Sequence, residues 1–127
     1  MAVSRNERGF SLLLEWEGTT GQDGQVFGFT TVRIVGPSME PALRNGHTHL
    51  VRLDYPVHRF RIGDVALLQH PRRRGLLTVK RLVRVEPSGW WVEGDNQESS
   101  EDSRDFGPVP ADLMRGKVLM RLSPVFR

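Results

Sequence analysis

The sequence predicts an all-β domain, a barrel or sandwich of short antiparallel strands, with a short N-terminal helix. Three observations carry this expectation. Short apolar segments recur along residues 31–122, each bounded by Gly, Pro, Asn or Asp, which is the spacing of strands and turns. The chain has 127 residues, enough for one hydrophobic core and not two. It is 38% hydrophobic and 26% charged, the balance of a globular chain that buries such a core.

The helix is expected over residues 4–17. Ser4-x-x-Glu7 makes a capping box, Phe10, Leu13 and Leu14 follow at helical spacing, and Gly18 ends the run. Gly9 counts against it. Its apolar side, with Phe10, Leu13, Leu14 and Trp16, would pack on the core or lie on a membrane surface. Gly18, Gly21, Gly24 and Gly28 mark a loop. Residues 1–30 are thus expected as a helical segment with a Gly-rich loop, and residues 31–127 as the single domain that carries the chemistry. Within it, strands are expected at 31–35, 48–53, 65–70, 76–85, 90–93 and 117–122. Residues 110–116 are expected as one helical turn, with proline at its start and glycine at its end.

Cysteine is absent. That excludes disulfides, a cysteine nucleophile and thiolate metal sites, and it fits a reducing compartment. Net charge is +3. Arg72, Arg73, Arg74, Lys80, Arg81 and Arg84 crowd one stretch, and Glu98, Glu101, Asp102 and Asp105 another. The basic run reads as a solvated hairpin loop, or as a contact for an anionic partner. No apolar run approaches the ~20 residues that cross a bilayer, and no secretory signal segment is visible. A cytoplasmic location is expected, with peripheral membrane contact as the alternative.

Ser38 stands in Val35-Gly36-Pro37-Ser38-Met39-Glu40-Pro41-Ala42-Leu43, and Lys80 in Leu77-Thr78-Val79-Lys80-Arg81-Leu82-Val83. A serine hydroxyl is a weak nucleophile until a neighbour takes its proton. Lysine does so only when neutral, yet its unperturbed pKa is about 10.4. Burial disfavours the ammonium and lowers that value. With period-2 alternation Lys80 shares a face with Leu76, Thr78 and Leu82, which would desolvate the amine. Arg84 falls on the same face and must point away or find a partner. Taken singly, Ser38 reads as turn chemistry and Lys80 as a strand lysine reaching solvent.

Three further motifs join them. Ser38-Met39-Glu40-Pro41-Ala42-Leu43, Gly63-Asp64-Val65, Val79-Lys80-Arg81, Gly94-Asp95-Asn96 and Ser100-Glu101-Asp102-Ser103-Arg104 occur in that order. In this the chain resembles the type I signal peptidase family of Ser/Lys proteases. The resemblance implies a signal-peptidase-like β fold and a serine endopeptidase that processes a protein precursor. It implies Ser38 as nucleophile and Lys80 as general base. Ser100 would orient the lysine amine, while Asp102 and Arg104 would form an ion pair bracing the loop behind the site. Gly94, Asp95 and Asn96 would shape the supporting turn. Met39, with Gly36 and Pro37 in the strand end before the serine, would line the groove for an extended substrate strand. Small residues would precede the cut.

The backbone N–H of Ser38 is the candidate oxyanion donor. Gly36 offers no hydroxyl there, and Pro37 has no N–H. Family members commonly have Gly-Asp where this chain has Gly46-His47. They also carry a membrane anchor before the serine, where this chain offers a short amphipathic segment. The compact size and the run Trp90-Trp91-Val92-Glu93-Gly94-Asp95-Asn96 resemble the nickel-type superoxide dismutase maturation proteases, which implies propeptide removal. No cofactor or metal is expected, and a monomer is.

Four rival readings remain. One is a self-cleaving domain like those of SOS-type repressors, with the same Ser/Lys chemistry; no helix-turn-helix precedes the serine, which counts against it. A Ser-His-Asp hydrolase would draw on His47, His49, His58 or His70, none of which lies in a recognisable motif. His47-x-His49 would put two rings on one strand face, a two-ligand metal site that lacks a third ligand. A non-enzymatic basic β-barrel would bind nucleic acid or another anionic partner, stacking bases on Phe60, Trp90 and Trp91.

Overall fold

A computed structural model describes the backbone of residues 2–5, 11–16, 19–20 and 26–122, and side chains at 28–98 and 100–122. Nine strands are found among the described residues. They are β1 (Ala2–Arg5), β2 (Ser11–Trp16), β3 (Thr19–Thr20), β4 (Val26–Val35), β5 (Thr48–Leu53), β6 (Val65–Gln69), β7 (Leu77–Glu86), β8 (Gly89–Glu93) and β9 (Met114–Arg121). The sheet order is β1-β2-β4-β5-β9-β6-β7-β8, with β3 beside β4, and every pairing is antiparallel. The all-β expectation holds.

β6 shows why the sheet has two buried faces. Its run Val65-Ala66-Leu67-Leu68 is apolar at every position, the pattern of a strand covered on both sides. Side chains alternate across a strand. Val65 and Leu67 accordingly join one core cluster with Val32, Ile34, Met39 and Val51. Ala66 and Leu68 join a second with Phe60, Leu82, Val92 and Val109. Register shifts interrupt the pairing of β5 with β9, β6 with β9 and β7 with β8. Such irregularities increase local twist and bend a sheet, and β2 comes into contact with β7.

Three expectations are corrected. The first is the N-terminal helix: its described parts are strands. β1 pairs with β2, and β2 pairs with β4. A helix this short is marginal because its first turn fixes several residues for one hydrogen bond. Strand pairing instead satisfies the backbone of 11–16 against β4, with Leu12 opposite Ile34 and Leu14 opposite Val32. Glu7, Phe10 and Gly18, on which the helix reading leaned, and Gly9, which counted against it, lie outside the described residues. The second is the reach of β4, which begins at Val26 and so runs through the expected boundary at residue 30. The third is the turn at 110–116. A 3-10 turn does follow Pro110, at Ala111–Leu113, but Gly116 is inside β9. A Cβ there would lie 2.7 Å from the Arg52 carbonyl oxygen and 2.8 Å from Val51 Cγ1. Gly116 thus permits close approach of β5 rather than ending a helix.

Candidate active site

Ser38 follows β4 on a turn held from both sides. Gly36 takes φ +102°, which favours glycine, and its N–H donates to Asn45 Oδ1 at 2.9 Å. Glu40 N–H donates to the Pro37 carbonyl at 3.1 Å and Leu43 N–H to the Met39 carbonyl at 2.9 Å. Met39 is 1% exposed in the first core cluster. Expected along a substrate groove, it lies in the core, where it anchors the turn while Ser38 stays half-buried.

The Ser38 carbonyl accepts a hydrogen bond from Asn96 N–H at 2.9 Å. Gly94 is wedged beside it. A Cβ on Gly94 would clash with the Ser100 hydroxyl and would lie 2.7 Å from the Ser38 carbonyl oxygen. The Ser38 turn and Ser100 therefore meet across a glycine that only glycine fits.

Asp102 organises the loop behind them. It is fully buried. It accepts from Ser100 Oγ at 3.1 Å, Gly94 N–H at 2.9 Å and Arg104 N–H at 3.1 Å. Arg104 also donates through Nε at 2.9 Å and Nη2 at 2.6 Å. Burial alone would raise this carboxyl, but Arg104 and the backbone donors outweigh it and hold it below the usual carboxylate range. Asp102 also caps the one-turn helix α1 (Ser103–Phe106), with Asp105 returning a bond to its backbone N–H. Ser103 Oγ accepts from Val92 N–H at 2.8 Å, tying this turn to β8.

Lys80 is 2% exposed on β7, opposite Ala66 of β6. It lies on the face that carries Leu82 and the second core cluster. The conflict posed by Arg84 is removed by the register shift after Leu82. Arg84 turns outward, pairs with Glu86 at 2.7 Å and covers the Trp91 ring at 4.1 Å.

Arg81, next in the chain, joins the motifs. Its Nε and Nη2 grip both oxygens of Asp95 at 2.8 Å, and Nη1 donates to the Gly63 carbonyl at 2.7 Å. Through Arg81, Asp95, Asn96, Gly94 and Asp102, all five sequence motifs become one assembly. A cleft of about 470 Å³ opens beside it, lined by Pro41, Ala42, Arg81, Val83, Glu93 and Asp95 among others.

Several members escaped the sequence reading: Arg81 as the partner of Asp95, Ser103, Asp105, and a group comprising His70, Glu101 and Arg73. The Asp102-x-x-Asp105 spacing was a legible capping signal for the first turn of α1. The long-range pairs had no local signal. Of the residues in the rival readings, Phe60 is buried, Trp90 packs on the second cluster and Trp91 is covered by Arg84. The stacking platform for nucleic acid is therefore taken up internally. His70 is bonded to Glu101. His49 is buried with Nε2 unpartnered, and no metal-holding cluster is found among the described residues.

Residues 24–87 and 83–123 match the family described as signal peptidase, peptidase S26. The mitochondrial ATP-independent inner membrane protease subunit 1a of Arabidopsis thaliana is 34% identical, over 75% of this chain and 71% of that protein. The mitochondrial inner membrane protease subunit 1 of Xenopus tropicalis is 32% identical, over 71% of this chain and 66% of that one. Subunit 2 of Schizosaccharomyces pombe is 35% identical, over 74% and 64%. The chain thus spans roughly two thirds of the length of these relatives. With the family match covering most of its length, the chain belongs to the peptidase S26 signal peptidase family.

Proposed function

We propose that the chain is a serine endopeptidase that removes a leader or propeptide from a protein precursor, with Ser38 as nucleophile and Lys80 as general base. The observation that carries this reading is the convergence on Gly94. The Ser38 carbonyl, the Ser100 hydroxyl and the Asp102 carboxylate all meet there, one strand away from a lysine buried to 2% exposure. Burial is what a lysine base needs, because losing water disfavours the ammonium and leaves a free amine to accept the serine proton. The Ser100 hydroxyl donates to Asp102, so its lone pairs face away from that carboxylate, able to receive an N–H from the lysine. Asp102 and Arg104 keep that hydroxyl in place. The Ser38 backbone N–H stabilises the oxyanion that forms as the hydroxyl attacks. Gly36 N–H is occupied by Asn45, so a second donor comes from another part of the site.

The precursor would lie extended along the Ser38 turn and enter the cleft between Ala42 and Glu93. The names of the relatives place them at an inner membrane, which favours a membrane-associated precursor over a purely cytoplasmic one. No helix among the described residues is long and apolar enough to cross a membrane. The resemblance to nickel-type superoxide dismutase maturation proteases supplies one specific precursor to try.

The test is cleavage of a panel of precursor peptides with small residues before the cut. Ser38→Ala and Lys80→Ala should each lower kcat by about 10³-fold or more, the scale seen when a nucleophile or its base is removed. In the wild type, kcat should rise with pH as Lys80 loses its proton. Normal cleavage by both variants would overturn the reading.

A further inference from the structure

His70 lies just past β6 and is not among the residues assigned above, yet it is built into the same loop. Its ring is 3% exposed. Nδ1 accepts a hydrogen bond from Arg72 N–H at 3.0 Å. A backbone N–H only donates, so Nδ1 carries no proton and the ring proton sits on Nε2. Nε2 therefore donates to Glu101 Oε1. The same carboxylate accepts from Arg73 Nε at 3.1 Å and Nη2 at 3.2 Å. Glu101 sits in the chain between Ser100 and Asp102. The imidazole packs against Phe106 of α1 in an edge-to-face arrangement, with ring centres 4.8 Å apart.

The charged groups around the ring come from three elements. Glu101 faces Nε2, Arg73 lies behind Glu101, and Lys80 of β7 is near enough to act on the ring electrostatically. Arg72 and Asp105 line the cavity of about 290 Å³ that His70, Glu101 and Phe106 share. Burial is the main effect pushing the imidazole below its ordinary value, with Arg73 and Lys80 acting the same way and Glu101 opposing.

We propose that neutral His70 is a positioning residue of this site: by holding Glu101 through Nε2–H it fixes the adjoining Ser100 in the place from which Ser100 orients the Lys80 amine. The inference rests on the Ser38/Lys80 reading above. A second ring proton would go to Nδ1, where it meets the Arg72 N–H. Donor then faces donor, the Arg72 bond is lost and the ring must leave its seat, drawing Glu101, still bonded through Nε2–H, and the adjoining Ser100 with it. Full turnover therefore needs a neutral His70 as well as a neutral Lys80.

Two readouts on the full chain test this. In peptide cleavage, log kcat of the wild type should fall toward acid pH with a slope above one, approaching two, across the range in which His70 titrates, since two groups take up protons there. His70→Gln keeps a donor for Glu101 but does not titrate, so its slope should be about one with most of kcat retained. His70→Ala should lose about tenfold to a hundredfold in kcat, the scale of a misplaced catalytic group, with KM within about twofold. The second readout needs no substrate. Amide NMR of Ser100 and Asp102 should shift in one step as His70 protonates below pH 6.5, and that step should vanish in His70→Gln. A slope of one in the wild type, or Ser100 and Asp102 amides that ignore His70, overturns the proposal. Ser38→Ala separates the two levels: activity without Ser38 sinks the Ser/Lys reading itself. An inactive Ser38→Ala beside a His70→Ala of wild-type kcat sinks only the role of His70.

Discussion

The Ser38 turn and the loop from Gly94 to Phe106 meet across one glycine, but they are held by different forces. The turn depends on apolar burial and backbone bonds: Met39 and Leu43 sit in the core, and Asn96 N–H holds the Ser38 carbonyl. No charged side chain takes part in those contacts. The loop depends on carboxylates, three of them held by side chains from elsewhere in the site or the loop. Asp102 is held by Arg104, Asp95 by Arg81, and Glu101 by Arg73 and His70. Apolar packing is indifferent to pH, whereas a carboxylate held by cations is stabilising only while ionised. The side of the site that carries the proposed nucleophile should therefore be insensitive to pH, and the side that supports the base should not.

Breaking the charged side should cost most. Asp102→Ala strands the guanidinium of Arg104, the Gly94 N–H and the Ser100 hydroxyl, and should destabilise by about 3–5 kcal/mol in urea unfolding, the range for removing one partner of a buried pair. Met39→Ala breaks the apolar side and should cost about 2–4 kcal/mol through the lost burial and the cavity left behind. The pH dependence then separates them. Asp102 and Glu101 are held below their ordinary values of 3.8 and 4.5. The stability they contribute is present above those values and is lost as pH falls through the lower folded ones. His70, also lowered from 6.5, adds a loss that begins below that pH, because the unfolded chain takes up its proton first. The urea midpoint should thus fall from pH 6.5 into the acid range. Met39→Ala should run parallel to the wild type, while Asp102→Asn should flatten the acid end. Parallel curves for all three would erase the distinction between the two sides.

Smaller changes sharpen it. Arg81→Lys keeps the charge but loses the two-pronged grip on Asp95, and should cost about 1 kcal/mol. Arg84→Ala removes an outward pair with Glu86, whose side chains are 49% and 28% exposed. Its effect should stay under about 0.5 kcal/mol.

Much of the architecture could be read from local pattern. The strand at 48–53 matches β5, and the apolar run of β6 and the alternation around Lys80 place both on an interior sheet. Side-chain alternation is a local property, so it survives in the sequence. The first residues misled because a three-residue apolar spacing over 10–14 fits a helix turn and a paired strand alike. The choice belonged to β4, whose Val32 and Ile34 lie opposite Leu14 and Leu12. Arg84 posed the same kind of ambiguity: strict alternation put it beside Lys80, and the register shift after Leu82 took it away.

The sequence by itself determined the residue chemistry and the order of the five motifs, because these are properties of the chain. Ser38, Lys80, Ser100, Asp102 and Arg104 were all legible as a set. Only the tertiary structure decided what holds them. It placed Met39 in the core rather than along a groove, made Gly94 the contact between Ser38 and Ser100, and gave Asp95 to Arg81 and Glu101 to His70 and Arg73. Those pairings span 14, 31 and 28 residues of chain. Contacts at such separation leave no periodic trace in a sequence, since each is set by how β6, β7 and β8 lie beside one another once the sheet has bent.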